Sequence, residues 1–126
     1  MRVYLAGGMK SGWQQRVKEV APDHQYIDPC EHGLNEETQY TLWDLQAIDA
    51  ADALFVYFEA SNPSGFGLSL EIGYAKRAGK RIVLVDEKSA TDEAIAQRLG
   101  MLRSCADVVV QSLDDGLRVL QSLAKI

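Results

Sequence analysis

Residues Ala53–Phe58 (ALFVYF) form a run of six consecutive apolar or aromatic residues, and this run is the strongest indication of the fold. A strand of this composition is typical of a parallel sheet that helices cover on both faces, because neither of its faces meets water. Turn-forming residues 61–65 (SNPSG) follow at once, and a segment of helical composition comes next. The sequence therefore predicts a central strand of an α/β domain.

Outward from this strand, short apolar runs alternate with helical segments, which is the pattern of a doubly wound sheet. The spacing of Leu42, Leu45 and Ile48 predicts a buried stripe on an amphipathic helix. We expect one domain over residues 1–126, an α/β fold with a parallel sheet of about five strands, flavodoxin-like or Rossmann-like. The predicted strands are residues 3–6, 24–27, 53–58, 81–85 and 108–110; the predicted helices are 13–20, 38–51, 67–78, 92–102 and 113–124, with a loop at 30–35.

Composition and charge exclude several classes of function. A net charge of -5 and scattered basic residues argue against a nucleic acid polymer as partner. Cys30 and Cys105 belong to no metal-ligand pattern, so we expect no metal, and we expect no organic cofactor. No apolar run approaches the roughly 20 residues that span a bilayer, so we expect a cytoplasmic protein with reduced thiols and no membrane partner.

Two glycine-containing loops follow predicted strands, residues 7–12 (GGMKSG) and residues 62–67 (NPSGFG). Glycine lets the backbone approach a ligand, and a helix N-terminus after such a loop presents free N–H groups. Both loops are suited to a phosphate or to sugar hydroxyls, and both are equally typical of ordinary strand-to-helix turns. Lys10, in the first loop, either meets an anion or is simply exposed.

Two carboxylates are candidates for chemistry. Glu71 falls in the opening turns of a predicted helix, where the helix dipole is expected to lower its pKa and keep it ionised. Such a carboxylate can attack an anomeric carbon, although an acid that merely complements the dipole is also common there. Asp44 borders the predicted apolar stripe, where it would accept a sugar hydroxyl, handle a proton, or be solvated. His32 is predicted to be a loop residue rather than a base.

Four segments together resemble the nucleoside 2-deoxyribosyltransferase family. They are residues 3–8 (VYLAGG), 44–53 (DLQAIDAADA), 62–65 (NPSG) and 71–75 (EIGYA), and the resemblance spans roughly residues 3–110. It implies that Glu71 attacks the anomeric carbon of a 2′-deoxynucleoside and releases the base. A second base, or water, would then take the deoxyribosyl group from Glu71.

The resemblance also implies roles for other residues. Asp44 would orient the sugar, and Tyr4 would line the pocket with the turn of Gly7 and Gly8. Met101 would be lent to a neighbouring subunit's pocket, because the family builds its sites at subunit contacts; a homodimer or larger homo-oligomer is therefore expected. The expected partners are a small nucleoside or nucleotide and a free nucleobase.

Two alternatives stay open. Transferases of the family carry an acid six residues before the nucleophile, and here that position is Gly65, in the expected substrate-binding loop with Ser64. A sister branch, the 2′-deoxynucleoside 5′-monophosphate N-glycosidases, holds a phosphate with serines and a cation, which Ser64, Ser11 and Lys10 would supply. The second alternative is a module that binds nucleotides without turning them over, because one fold serves many roles.

Overall fold

The computed structural model describes residues 1–125, and its central element is a sheet of five parallel strands. In chain order the elements are β1 (Arg2–Gly7), α1 (Trp13–Val20), β2 (Gln25–Ile27), a 3-10 turn (Pro29–Glu31), α2 (Glu37–Ala50), β3 (Ala53–Phe58), α3 (Phe66–Arg77), β4 (Arg81–Asp86), α4 (Lys88–Thr91), α5 (Glu93–Arg98), α6 (Gly100–Cys105), β5 (Val108–Val110) and α7 (Leu113–Leu123).

The strand order is β2-β1-β3-β4-β5, so the chain moves outward from β1 in one direction and then returns to continue in the other. Tyr4 on β1 pairs with Ile27 of β2 on one side and with Leu54 of β3 on the other. The order therefore reverses between β1 and β3, and a crevice opens beyond their carboxyl ends. The predicted doubly wound parallel sheet is confirmed.

Alternate strand residues build two separate cores, one on each face of the sheet. On the first face, strand residues such as Tyr4, Leu54 and Leu84 pack against α2, α3 and the α5–α6 segment. On the second face, residues such as Phe55 and Val85 pack against α1 and α7. All six residues of β3 are buried, as its composition predicted. The result is a three-layer α/β/α arrangement.

The predicted stripe of α2 was wrong. Ile48 is fully buried, but Leu42 is 57% exposed, because α2 meets the sheet through Trp43, Ala47 and Ile48 instead. Leu42 thus belongs to the outer surface. The helix itself forms where the sequence predicted it, within one residue at each end.

The single helix predicted at residues 92–102 was also wrong, because three short helices occupy residues 88–105. Asp92 is extended and its side chain accepts a hydrogen bond from the backbone N–H of Ile95 at 3.1 Å, which begins α5. Leu99 interrupts the run with a non-helical backbone while its side chain is buried in the first core. Side-chain capping and one anchoring contact outweigh the continuous helical pattern. Within residues 1–125, none of the helices is both long and apolar enough to cross a membrane.

Candidate active site

A cavity of about 420 Å³ lies at the carboxyl edge of β1 and β3, where the strand order reverses. Both predicted glycine loops reach it, and so do the two candidate carboxylates, Asp44 from α2 and Glu71 from α3. Its lining consists of Gly7, Gly8, Met9, His32, Leu34, Asn35, Tyr40, Asp44, Asn62, Ser64, Gly65, Phe66, Gly67, Leu68 and Glu71. The folded chain therefore brings together residues that are more than 60 positions apart in sequence.

The first loop is held from below by α1. Trp13 Nε1 and Gln14 Nε2 both donate to the carbonyl of Gly8, at 2.8 and 2.9 Å. A Cβ at Gly7 would lie 2.7 Å from the Trp13 ring and 2.8 Å from the Tyr57 carbonyl oxygen, so only glycine fits there. The packing of α1 on the sheet thus holds this turn close to the cavity.

The second loop turns sharply at Gly65, the residue that precedes α3. Its φ of 77° is left-handed, and a Cβ would collide with the ring of Phe58. Asn62 Oδ1 accepts the backbone N–H of Ser64 at 3.1 Å, which tightens the approach to this turn. No side chain can replace glycine at position 65 without moving β3 or the loop.

Glu71 lies at the base of the cavity, largely buried. The hydroxyl of Tyr4, a fully buried residue of β1, donates to Glu71 Oε2. Burial raises the pKa of Glu71 to about 7; the negative charge of Asp44 adds to the rise, and the hydrogen bond from Tyr4 opposes it. The predicted lowering by the helix dipole was wrong, because Glu71 lies in the second turn of α3, beyond the dipole's strong region, and desolvation outweighs it.

Asp44 faces the same cavity beside His32. Burial raises the pKa of Asp44, while His32 and the Tyr4 hydroxyl oppose the rise. His32 Nε2 lies 3.3 Å from Asp44 Oδ1. The backbone N–H of Leu34 donates to His32 Nδ1 at 2.9 Å, so the ring of a neutral His32 carries its proton on Nε2. The ring also packs edge-on against Trp43, with centroids 4.6 Å apart.

His32 is the site residue that the sequence did not single out. It lies in the predicted loop, but its side chain is only 7% exposed and lines the cavity. No spacing along the chain relates it to Asp44. The two meet because the segment after the 3-10 turn folds back over α2, which a pattern of single residues does not indicate.

Three other predicted residues lie elsewhere. Tyr4 is beneath the cavity rather than on its wall, and acts on it through Glu71. Lys10 lines a second cavity of about 350 Å³, which shares Gly8, Met9 and Asn62 with the first. Met101 is on α6, 79% exposed and outside both cavities of this chain.

In the part of the chain that the structure describes, residues 1–125, the side chains form no set of metal ligands. No group of three or more His, Cys, Asp or Glu side chains there is arranged to hold a metal ion.

A doubly wound parallel sheet with a largely buried carboxyl group at its switch point defines an α/β protein whose cavity is of a size suited to a small molecule. The chain belongs to the nucleoside 2-deoxyribosyltransferase-like family, whose model matches residues 1–89. No curated protein sequence matches the chain.

Solved structures with low sequence identity share the fold. A 2-deoxyribosyltransferase from Bacillus psychrosaccharolyticus is 21% identical, with a TM-score of 0.70 over 91% of this chain and 89% of that one. A CMP N-glycosidase from Clostridium botulinum is 22% identical, with a TM-score of 0.63 over 100% of both chains. A conserved protein from Enterococcus faecalis V583 is 16% identical, with a TM-score of 0.73 over 98% of both.

Proposed function

We propose that this chain is an enzyme that cleaves the N-glycosidic bond of 2′-deoxynucleosides and passes the deoxyribosyl group to another base or to water. The observation that carries the proposal is the buried carboxyl group of Glu71, held by the Tyr4 hydroxyl at the base of a cavity. Membership of the nucleoside 2-deoxyribosyltransferase-like family supports it.

The reaction proceeds in two displacements at the anomeric carbon. With Oε2 engaged by Tyr4, Oε1 of ionised Glu71 forms the new bond to C1′ as the bond from C1′ to the base nitrogen breaks. The electron pair leaves with the base, which takes up a proton. A nitrogen of a second base, or a water oxygen, then attacks C1′ and gives up its proton, while the bond from C1′ to Glu71 breaks and releases the carboxylate.

Burial of Glu71 affects its strength as a nucleophile, and the hydrogen bond from Tyr4 affects how much of it is ionised. Desolvation raises the pKa of Glu71 and makes its carboxylate a stronger nucleophile when ionised, while the donor keeps an ionised fraction available near neutral pH. Asp44, on the same wall, orients the sugar.

The test is a chromatographic assay of a 2′-deoxynucleoside, with and without a second free base, and of the matching 5′-monophosphate. Wild type should form a new deoxynucleoside, and Glu71→Ala should form none while remaining folded. If wild type releases no base from any substrate, the enzyme proposal fails. A non-catalytic binding module then remains, for which Glu71→Ala would leave ligand affinity nearly intact.

A second candidate function is hydrolysis of a 2′-deoxynucleoside 5′-monophosphate. The second cavity favours it, because Lys10 and the hydroxyl residues Ser11 and Ser61 line a space that adjoins the first. Glu59 shares that wall, so a phosphate would bind only if Lys10 and the hydroxyls outweigh this carboxylate.

Lys10→Ala separates the two candidates. It should weaken hydrolysis of the monophosphate severely and transfer between nucleosides only slightly. Equal effects on both substrates would contradict a phosphate-binding role for Lys10.

We also propose that the chain works as a homodimer or larger homo-oligomer. Phe66, Leu70 and Met101 are 83, 60 and 79% exposed, an unusual display of large apolar side chains on the α3–α6 side. Sedimentation analysis of wild type and of Met101→Glu tests the proposal. A monomeric wild type would refute it, and dissociation by Met101→Glu would support it.

A further inference from the structure

His32 and Asp44 present an unpaired donor and an unpaired acceptor to one cavity. Among residues 1–125, His32 Nε2 and Asp44 Oδ1 are both buried and have no hydrogen-bond partner. The two atoms are 3.3 Å apart, but their relative direction does not make a hydrogen bond. Buried polar atoms without partners are rare in folded proteins, so this pair points to a group that a ligand supplies.

The chemical character of each atom is fixed by its surroundings. Because Leu34 N–H occupies His32 Nδ1, a neutral His32 is a donor at Nε2. A carboxylate oxygen of Asp44 is an acceptor. The cavity therefore offers one N–H donor and one oxygen acceptor side by side.

A hydroxyl group satisfies both atoms at once, since its oxygen accepts from Nε2–H and its proton goes to Oδ1. A phosphate or carbonyl oxygen brings no proton for Asp44, and an ammonium group brings no lone pair for His32. Among the polar groups of the sugar and the phosphate, the pair thus selects an alcohol.

The position of the pair identifies which hydroxyl. His32, Asp44 and Glu71 line the same cavity, so the pair lies near the proposed nucleophile. Glu71 attacks the face of the sugar ring opposite the base. In a 2′-deoxynucleoside the 3′-hydroxyl lies on that face, whereas the 5′ carbon lies on the face of the base.

We infer that His32 and Asp44 together bind the 3′-hydroxyl of the deoxyribose, an inference that rests on the proposed function and makes His32 a specificity-determining residue. Without the 3′-hydroxyl, both polar atoms stay buried and unpaired in the complex, which reduces affinity. With it, the sugar is fixed on the side from which Glu71 attacks.

The experiment measures equilibrium binding by calorimetry in the Glu71→Gln background, where turnover is blocked. The probes are 2′-deoxyadenosine and 2′-deoxycytidine, each against its 2′,3′-dideoxy counterpart. With His32 present, loss of the 3′-hydroxyl should weaken binding roughly tenfold to a hundredfold. With His32→Phe, which keeps the packing on Trp43 but no donor, the same loss should cost only a few-fold.

Two further variants keep the test decisive. His32→Gln retains an N–H donor and should restore part of the discrimination. If the phenylalanine variant does not fold, the comparison is made between His32→Gln and His32→Asn, which carries a shorter amide. His24→Gln is the matched control, because His24 is a buried histidine whose Nε2 bonds the Leu120 carbonyl at 2.7 Å, away from the cavity. It should discriminate between the probes as the parent does.

The outcomes separate this inference from the proposed function. Unchanged discrimination in His32→Phe overturns the inference, even if wild type releases base from deoxynucleosides. Lost discrimination supports the inference, even if wild type releases no base and the proposed function fails. Failure of every nucleoside to bind Glu71→Gln overturns it as well.

Discussion

Tyr4 is the residue through which the sheet acts on Glu71. It is fully buried on β1, and its hydroxyl donates to Glu71. Burial raises the pKa of Tyr4 and the negative charge of Glu71 raises it further, so the phenol stays protonated and remains a donor. A donor of this kind favours the ionised form of Glu71, the form that the proposed reaction requires.

Tyr4→Phe should therefore shift the pH dependence of activity. Without the hydrogen bond, the pKa of Glu71 rises above about 7 and a smaller fraction is ionised at neutral pH. The acidic limb of kcat/KM should move upward by about one pH unit. At pH 7 the loss should be roughly fivefold and should shrink in alkaline buffer.

The matched control is Tyr74→Phe, because Tyr74 is also on α3 and also donates to a carboxylate, Asp49, at 2.8 Å. Its hydroxyl lies on the exposed side of the molecule, so the pH profile should stay in place. A profile of Tyr4→Phe with reduced height and an unmoved midpoint would show that Tyr4 does not tune Glu71.

For single residues, the sequence indicated the candidate carboxylates but not the burial and the neighbours that set their pKa. Glu71 and Asp44 stood out by motif, and the fold brings both to one cavity. The direction of the Glu71 pKa was mispredicted because burial depends on Tyr4 and Asp44, which come from other elements. His32 escaped notice for the same reason, since its importance arises only from its position over Asp44.

Among the elements, α3 is the one whose start is set most strictly. Gly65 combines a left-handed backbone with the Phe58 ring against the place of a Cβ. By contrast, Gly73 is inside the same helix, exposed, with nothing within 4 Å of a Cβ. The surroundings of Gly65 thus require a glycine, whereas those of Gly73 leave room for a side chain.

Alanine at these two positions should have opposite effects on stability. Gly65→Ala should lower the free energy of unfolding by about 2–4 kcal/mol, through backbone strain and overpacking. Gly73→Ala should raise it by about 0.5–1 kcal/mol, because alanine loses less backbone freedom in a helix. Urea unfolding with unchanged m-values measures both. A neutral Gly65→Ala would mean that the loop moves away from Phe58 at little cost.

The strands and helices that the sequence predicted well are those whose own residues define where they begin and end. The run at β3 and the segment of α1 end at the predicted residues, because apolar composition and the following turn residues define them locally. The α4–α6 segment did not follow its pattern, because Asp92 caps a new helix and the Leu99 side chain is drawn into the core. Its course depends on tertiary packing rather than on propensity.

In the whole molecule, the strand order brings the residues of the site together. The reversal between β1 and β3 leaves a crevice that receives the turns after both strands, and α2 and α3 add one carboxyl group each. The alternation of strands and helices was sufficient to predict this crevice. Its depth was not predictable, and it is depth that sets the charge state of Glu71.

That depth has a cost in stability that depends on pH. The pKa of Glu71 is about 7 in the folded protein, against 4.5 for an ordinary glutamate, so the folded chain holds this proton more tightly than the unfolded chain. The stabilising contribution of the proton is complete below pH 4.5. It is lost as the pH rises through 7, where Glu71 must ionise in its buried position.

Glu71→Gln removes this penalty while keeping an acceptor for the Tyr4 hydroxyl. At pH 8 it should be more stable than wild type by up to about 3 kcal/mol, and the difference should vanish near pH 4.5. The raised pKa of Asp44 acts in the same direction but is present in both proteins, so most of its effect cancels. Urea unfolding at pH 5 and pH 8 measures the difference. A gain of equal size at both values would trace to altered packing, whereas a gain confined to high pH would mean that the fold sacrifices stability to hold an ionised Glu71 in a buried place.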